Sequence, residues 1–158
     1  MHQRAAEFAD RTREAYAFDP DVFEFPEGTK TAADAAAAID CEVSQIASSL
    51  AFEVDGDLIV CVTSGANRVS EAALADRFDV DPSAVEMADP DRVRERLGWS
   101  IGGVPPFCHD ESVPVLLDET LLEHETVWAA AGTPSAVFPI EPEELRQIAD
   151  AELATVTE

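Results

Sequence analysis

The sequence predicts an α+β fold built around a strongly curved sheet. Three observations carry this expectation. About six or seven short apolar stretches alternate with turn signals and read as strands. Four or five segments with 3.6-residue periodicity and cap residues lie between them. The interleaving is too irregular for a doubly wound parallel sheet. The 158 residues are most simply one domain, 1–158. A chain of this length buries about 68–70% of its unfolded surface, enough for a core without staples.

The elements follow in order. Ala5, Ala6, Phe8, Ala9, Thr12, Ala15 and Tyr16 fall on one helical face, predicting a helix over 2–17 that Asp19-Pro20-Asp21 breaks. Val22–Phe25 reads as a strand and Pro26-Glu27-Gly28 as a turn. Thr31 with Asp34 three residues on is an acidic variant of the capping box, opening an alanine-rich helix. Residues 46–54 run into Asp55-Gly56, a strong hairpin signal. The return strand, Leu58–Thr63, is apolar throughout, as in a strand buried on both faces. Ser70 caps a helix carrying Leu74 and Phe78, and Val85–Met87 is a short strand. Asp89-Pro90 opens a helix that Gly98 closes. Val113–Leu117, Thr126–Ala131 and Ala136–Ile140 read as strands, and Pro142 opens the last helix.

Charge is the loudest global feature. Thirty-three acids against ten bases leave a net charge of −23, with one lysine, Lys30, among the bases. Such a surface repels itself and nucleic acid in dilute buffer. At molar salt the Debye length falls to ~3 Å and the repulsion is screened. Scarce lysine with dispersed acid resembles a protein of a salt-loving cytoplasm, typically haloarchaeal, and net charge then says little about partners. No apolar run is long enough to cross a bilayer, and MHQRAAEFAD lacks a secretion signal. Three widely spaced cysteines, Cys41, Cys61 and Cys108, fit reduced thiols in a cytoplasm.

Motifs for phosphate loops, dinucleotide sites and nucleophile elbows are absent. Cys108-His109 is adjacent, but neighbours in extended chain point apart, and the spacing of metal pairs is missing, so neither a metal nor a cofactor is expected. What remains is GWSIGGVPPFCHD, residues 98–110. Gly102-Gly103 offers bare backbone amides on a chain stiffened by Pro105-Pro106. Two readings stand at this level. The amides grip a carbonyl or carboxylate oxygen, with Trp99 and Phe107 walling a pocket. Alternatively the loop is a tight turn with its aromatics in the core.

GWSIGGVPPFCHD resembles the glycine-proline loop of the YbaK/prolyl-tRNA editing-domain family, the aminoacyl-tRNA synthetase-associated domains. PEGTKTAADAAAAIDCEVSQIASSLAF, VTSGANRVSEAALA, VEMADPDRV and VPVLLDETLLEHETVWAAAGTPSAVFPIEPEEL are similar to family segments in the family's order. The resemblance spans about residues 22–150. It implies a curved, barrel-like mixed sheet with helices outside. It also implies a trans-editing deacylase that hydrolyses the ester of mischarged tRNA carrying a small amino acid. The partners implied are the CCA end with its aminoacyl group and an aminoacyl-tRNA synthetase. Carried over residue by residue, Ser48, Ser49, Gly102 and Gly103 take the catalytic positions. Ile101, Val104, Pro105, Phe107, Gly132, Asn67, Arg68 and Lys30 take substrate-binding ones. Attack in this family relies on water and the ribose hydroxyl more than on a protein base.

One departure stands out. The family carries Lys-Ser-Leu or Lys-Thr-Leu where residues 48–50 are Ser-Ser-Leu, so Ser48 replaces a cation. Three readings follow: activity through positioning alone, substitution by Arg68 or Lys30, or a non-catalytic aminoacyl- or nucleotide-binding relative. Cys108 likewise stands where the family has glycine.

Overall fold

A computed structural model describes residues 2–25 and 31–157. Among these, five helices are α1 (Gln3–Tyr16), α2 (Ala32–Ile39), α3 (Glu71–Phe78), α4 (Pro90–Leu97) and α5 (Pro142–Ala149). Eight strands are β1 (Phe23–Glu24), β2 (Ile46–Val54), β3 (Asp57–Ser64), β4 (Val85–Met87), β5 (Val115–Asp118), β6 (Val127–Ala130), β7 (Ala136–Ile140) and β8 (Glu152–Ala154). They form one mixed sheet in the order β1-β7-β6-β2-β3-β5-β8, with β4 paired to β2 off that path. The predicted turn at Pro26-Glu27-Gly28, and Lys30, lie outside the described residues. No helix among the described residues is long and apolar enough to cross a membrane.

Local chemistry explains the element ends. Asp55 and Gly56 both have positive φ, +50° and +84°, as a type I′ hairpin turn requires. Thr31 accepts from the Asp34 amide, Ser70 from Ala73 and Asp89 from Asp91, so three predicted caps are made. The strand predicted from Val113 starts two residues later, because Pro114 has no N–H to give a ladder. Strand β8 has no sequence signal: Glu152-Leu153-Ala154 carries no β-branched or aromatic residue, and its parallel pairing with β5 is set by tertiary contact.

Strand β3 is buried from Leu58 to Ser64, and its alternation feeds two layers. Val60 and Val62 face a core shared with Phe8 of α1, Val93 and Leu97 of α4 and Leu145 of α5. Ile59 and Cys61 face Leu74 and Ala75 of α3. Helix α2 covers Ile46 and Trp128 on the latter side of the sheet.

The end of β5 is pinned by a buried carboxylate. Asp118 accepts from Thr63 Oγ1 and the Ser64 amide, each at 3.2 Å, and from Asn67 Nδ2 at 2.9 Å. The Thr120 amide and hydroxyl donate to its other oxygen at 3.0 and 2.8 Å. Burial alone pushes this carboxyl up, but the donors from Asn67, Thr120 and Ser64 outweigh it and hold it below its usual range. Its folded value is therefore depressed, so its stabilisation is present above the unfolded value and is lost as pH falls through the folded one. Asp118→Ala should lower the thermal midpoint by about 4–8 °C at neutral pH, the size of roughly 2 kcal/mol of orphaned donors. The gap from wild type should narrow below about pH 4, near the unfolded carboxyl value. Calorimetry across pH 2.5–7 checks both, and a gap unchanged in acid removes the ionic role.

Candidate functional site

The site begins as an interruption in a ladder. Along one edge β2 pairs with β3 over its whole length, from Ala47↔Ser64 to Val54↔Asp57. Its other edge is shared. The parallel strand β6 takes Ile46 and Ala47, and the antiparallel strand β4 takes Phe52–Val54. The Ile46 carbonyl bonds Gly65 on the β3 side, and the Ala51 carbonyl bonds Ala88 on the β4 side. Backbone direction alternates along a strand, so Ser49 turns its N–H and C=O toward the uncovered interval.

A cavity of about 260 Å³ fills that interval. Ser48, Ser49, Leu50 and Ala51 form its floor, α2 contributes Ala32 and Ala35, and Trp128 and Ala130 stand on the β6 side. Ile101, Gly102 and Val104 close it from the loop, with Met87 at the edge. None of the described residues lining it is charged. The Ser49 hydroxyl is buried there without a hydrogen-bond partner. A buried orphan hydroxyl in a polar notch of an apolar wall is what a ligand's polar atom completes.

The two glycines of the loop have different parts. The Gly103 amide donates to the Ser100 carbonyl at 2.9 Å, closing a turn whose third residue, Gly102, has φ +87°. That is the type II pattern, which needs positive φ at this position. The Gly103 amide is thus consumed within the loop, and Gly103 does not line the cavity. A Cβ on Gly103 would stand 2.6 Å from Thr133 Cα and 2.8 Å from its carbonyl carbon, so glycine is required there for close approach of two backbones. Gly102 lines the cavity, and its own amide makes no hydrogen bond among the described residues.

The remaining predicted positions divide likewise. Ser48, Ser49, Ile101, Gly102 and Val104 meet at the cavity. Pro105 is buried behind it, its carbonyl accepting from His109 Nε2 at 2.8 Å. Phe107 lies in an aromatic cluster with Phe8, Tyr16, Phe18 and Phe138, as the tight-turn reading expects. Gly132 backs onto Trp99 and Phe8. Asn67 is committed to Asp118 and Thr120. Arg68 is exposed in the loop after β3 and away from the lining residues. Sequence reasoning passed over Trp128, Ala130, Met87 and the α2 residues, because only the crossover topology brings β4, β6 and α2 to one edge of β2.

Helix α1 holds the loop from behind. Arg4 donates to the Gly98 carbonyl and lies 4.3 Å over the buried Trp99 ring. Arg11 stands 5.3 Å from the same ring and donates to Asp110 at 2.7 Å. Trp99 Nε1 donates to the Cys108 carbonyl at 2.9 Å, and the Cys108 amide donates to the Tyr16 hydroxyl at 3.2 Å. Cys108 sits at φ +67°, where glycine is the unstrained residue, which accounts for the glycine expected there. Burial pushes its thiol up, and burial also lowers the neighbouring His109, whose ring is engaged with Pro105. Cys108 and His109 therefore form no nucleophile–base pair.

A sequence profile described as the aminoacyl-tRNA editing domain matches residues 26–148. The chain is 33% identical over 128 residues to the uncharacterized protein YwhH of Bacillus subtilis, covering 80% of each. It is 25% identical over 118 residues to the proline–tRNA ligase of Leuconostoc citreum, matching 74% of this chain and 20% of that enzyme. Among solved structures, it superposes with a TM-score of 0.93 and 35% identity on a protein proposed as a trans-editing enzyme for prolyl tRNA synthetase. That match covers 100% of this chain and 99% of the other.

The different parts of the glycines can be separated by stability. Gly103→Ala should cost about 1–3 kcal/mol, as overpacking does, and lower the thermal midpoint by several degrees. Gly102→Ala should cost about 1 kcal/mol from its backbone strain, since its nearest new contact is Pro134 Cγ at 3.4 Å. Thermal melts in the reverse order would contradict this geometry.

Proposed function

The chain belongs to the aminoacyl-tRNA editing-domain family, and from that premise we propose that it is an editing deacylase acting in trans on tRNA for proline mischarged with a small amino acid. The observation that carries this reading is the neutral cavity of about 260 Å³ at the uncovered edge of β2, lined by free backbone and hydroxyl donors. Its walls of alanine, valine and leucine suit a short side chain and offer no counter-charge to an ionic one.

Each residue then has a part. The amides of Ser49 and Gly102 receive the ester carbonyl oxygen as it becomes an oxyanion. The Ser49 hydroxyl completes its hydrogen bonding on the aminoacyl group, and Ser48 faces the ribose. Ile101 and Val104 wall the side chain. Water adds to the carbonyl carbon, the bond to the ribose oxygen breaks, and that oxygen leaves with a proton. The products are the free amino acid and a tRNA with its hydroxyl restored. The adjacent ribose hydroxyl orients the water, so the protein's share is positioning and oxyanion stabilisation. The occasion for this activity is an error by the cognate synthetase.

Ser48 keeps a second reading alive, a binding relative without turnover. A panel of tRNAs mischarged with small amino acids, assayed in 3 M KCl, separates the two. Hydrolysis of at least one misacylated tRNA, with prolyl-tRNA spared, supports the deacylase; no turnover of any supports the binder. Ser49→Ala should leave the thermal midpoint unchanged or slightly raised, because it removes an unpaired buried hydroxyl, and lower kcat/KM by about 10- to 100-fold. Equal activity in a folded Ser49→Ala protein removes the hydroxyl from the mechanism.

Salt gives another test. A cation at position 48 contributes mainly through phosphate, and counterions diminish that contribution in concentrated salt. A chain of net charge −23 working at molar salt gives up little by carrying serine. Ser48→Lys should therefore raise kcat/KM clearly at 0.1 M KCl and only slightly at 3 M. Equal gains at both concentrations would count against the screening account.

A further inference from the structure

The ester joins the amino acid to the ribose of the terminal adenosine. With the aminoacyl group in the cavity, the ribose sits at the mouth and its adenine lies one sugar away, against the rim. That rim is apolar and exposed. Met87 and Ile101 line the cavity yet are 55% and 47% exposed. Phe23, 44% exposed, meets the Trp128 ring edge-on with centroids 5.3 Å apart. Of the four most exposed large hydrophobic residues among those described, two thus line the cavity and a third, Phe23, packs on its Trp128; the fourth is Tyr16. Contiguous exposed apolar surface beside a cavity marks a ligand surface.

Trp128 is placed to receive a base. Its register with Ile46 puts it on the same sheet face as Ser48, two residues further along β2. It is half-buried, lines the cavity, and its indole N–H has no partner among the described residues. Among the described residues no cation lines the cavity. Every arginine except Arg68 is paired with a carboxylate among the described residues, and none lines the cavity. An aromatic platform suits a rim whose described lining is uncharged, and stacking keeps its strength in salt better than a phosphate contact does.

We propose that Trp128, braced by Phe23, is the stacking platform for the terminal adenine of the tRNA, an inference that rests on the deacylase reading above. The test compares an acylated acceptor-stem minihelix with the same minihelix carrying an abasic terminal ribose. Wild type should lose about 5- to 150-fold in kcat/KM on the abasic substrate, mostly through KM. Trp128→Ala should lose as much on the normal substrate and nothing more on the abasic one, while Trp128→Phe keeps most of the activity and reports that the fold is intact. Hydrolysis of both substrates equally well by wild type overturns the platform and leaves the deacylase standing. If wild type hydrolyses neither, the deacylase reading fails and binding decides. Trp99 is fully buried, so quenching of tryptophan fluorescence by AMP, and less by CMP, reports on Trp128 and supports the platform. Absence of quenching at millimolar AMP overturns it.

Discussion

The fold turns on one edge of one strand. β2 is nine residues long, and two strands of opposite direction share its second edge without meeting. A sheet edge left bare inside a protein exposes backbone donors and acceptors that must find partners. Here the bare interval is three residues wide and centred on Ser49, and it becomes the polar strip of an otherwise apolar cavity. The neighbouring elements follow from it. The loop from Ser100 to Val104 covers it from one face of the sheet, and α2 covers it from the other. The Ser49 backbone is thereby held by strand geometry and needs no flexible arm to present it.

The loop's own rigidity comes from behind. Trp99 is fully buried between α1 and the backbone at Gly132, with two guanidinium groups against its ring. Phe107 is locked among four other aromatic rings. The tight turn and the oxyanion reading are therefore not alternatives. Gly103 makes the turn and packs on Thr133, and the Gly102 amide is left at the cavity with no partner among the described residues. Fixing a donor before substrate arrives is what makes it useful in the transition state. Helix α1, outside the span of the family profile, is the buttress on which that fixing depends.

Much of this was legible in the residues. Asp55-Gly56, Thr31, Ser70 and Asp89-Pro90 act locally, and their turn and caps form where the sequence expects them. The apolar run Leu58–Thr63 gave a buried strand because a two-sided core leaves no polar positions. Ser48, Ser49 and the glycine loop were recognisable by resemblance. What was not legible is non-local. No spacing says that Trp128 lies beside Ile46, because a parallel crossover decides it. Gly132 and Asn67 sit near the site in sequence pattern but serve Trp99 and Asp118, and only packing reveals that their contacts are already used.

A strongly acidic chain and an RNA substrate are compatible when recognition does not depend on charge. Nucleic-acid affinity in dilute buffer comes chiefly from phosphate neutralisation, and among the described residues every arginine but Arg68 is already paired with a carboxylate. The arginines are engaged in intramolecular pairs, four of them i to i+3 within a helix, where exposed pairs contribute little. The described site offers contacts that do not need charge: a shaped cavity, backbone donors and an aromatic ring at its edge. Serine at position 48 belongs to the same pattern. A lysine there would face a cavity with no charge among its described lining residues, whereas a hydroxyl matches the polarity of the strip it sits on. With no charge on the described lining, concentrated salt would screen the surface while leaving the site's own interactions largely intact.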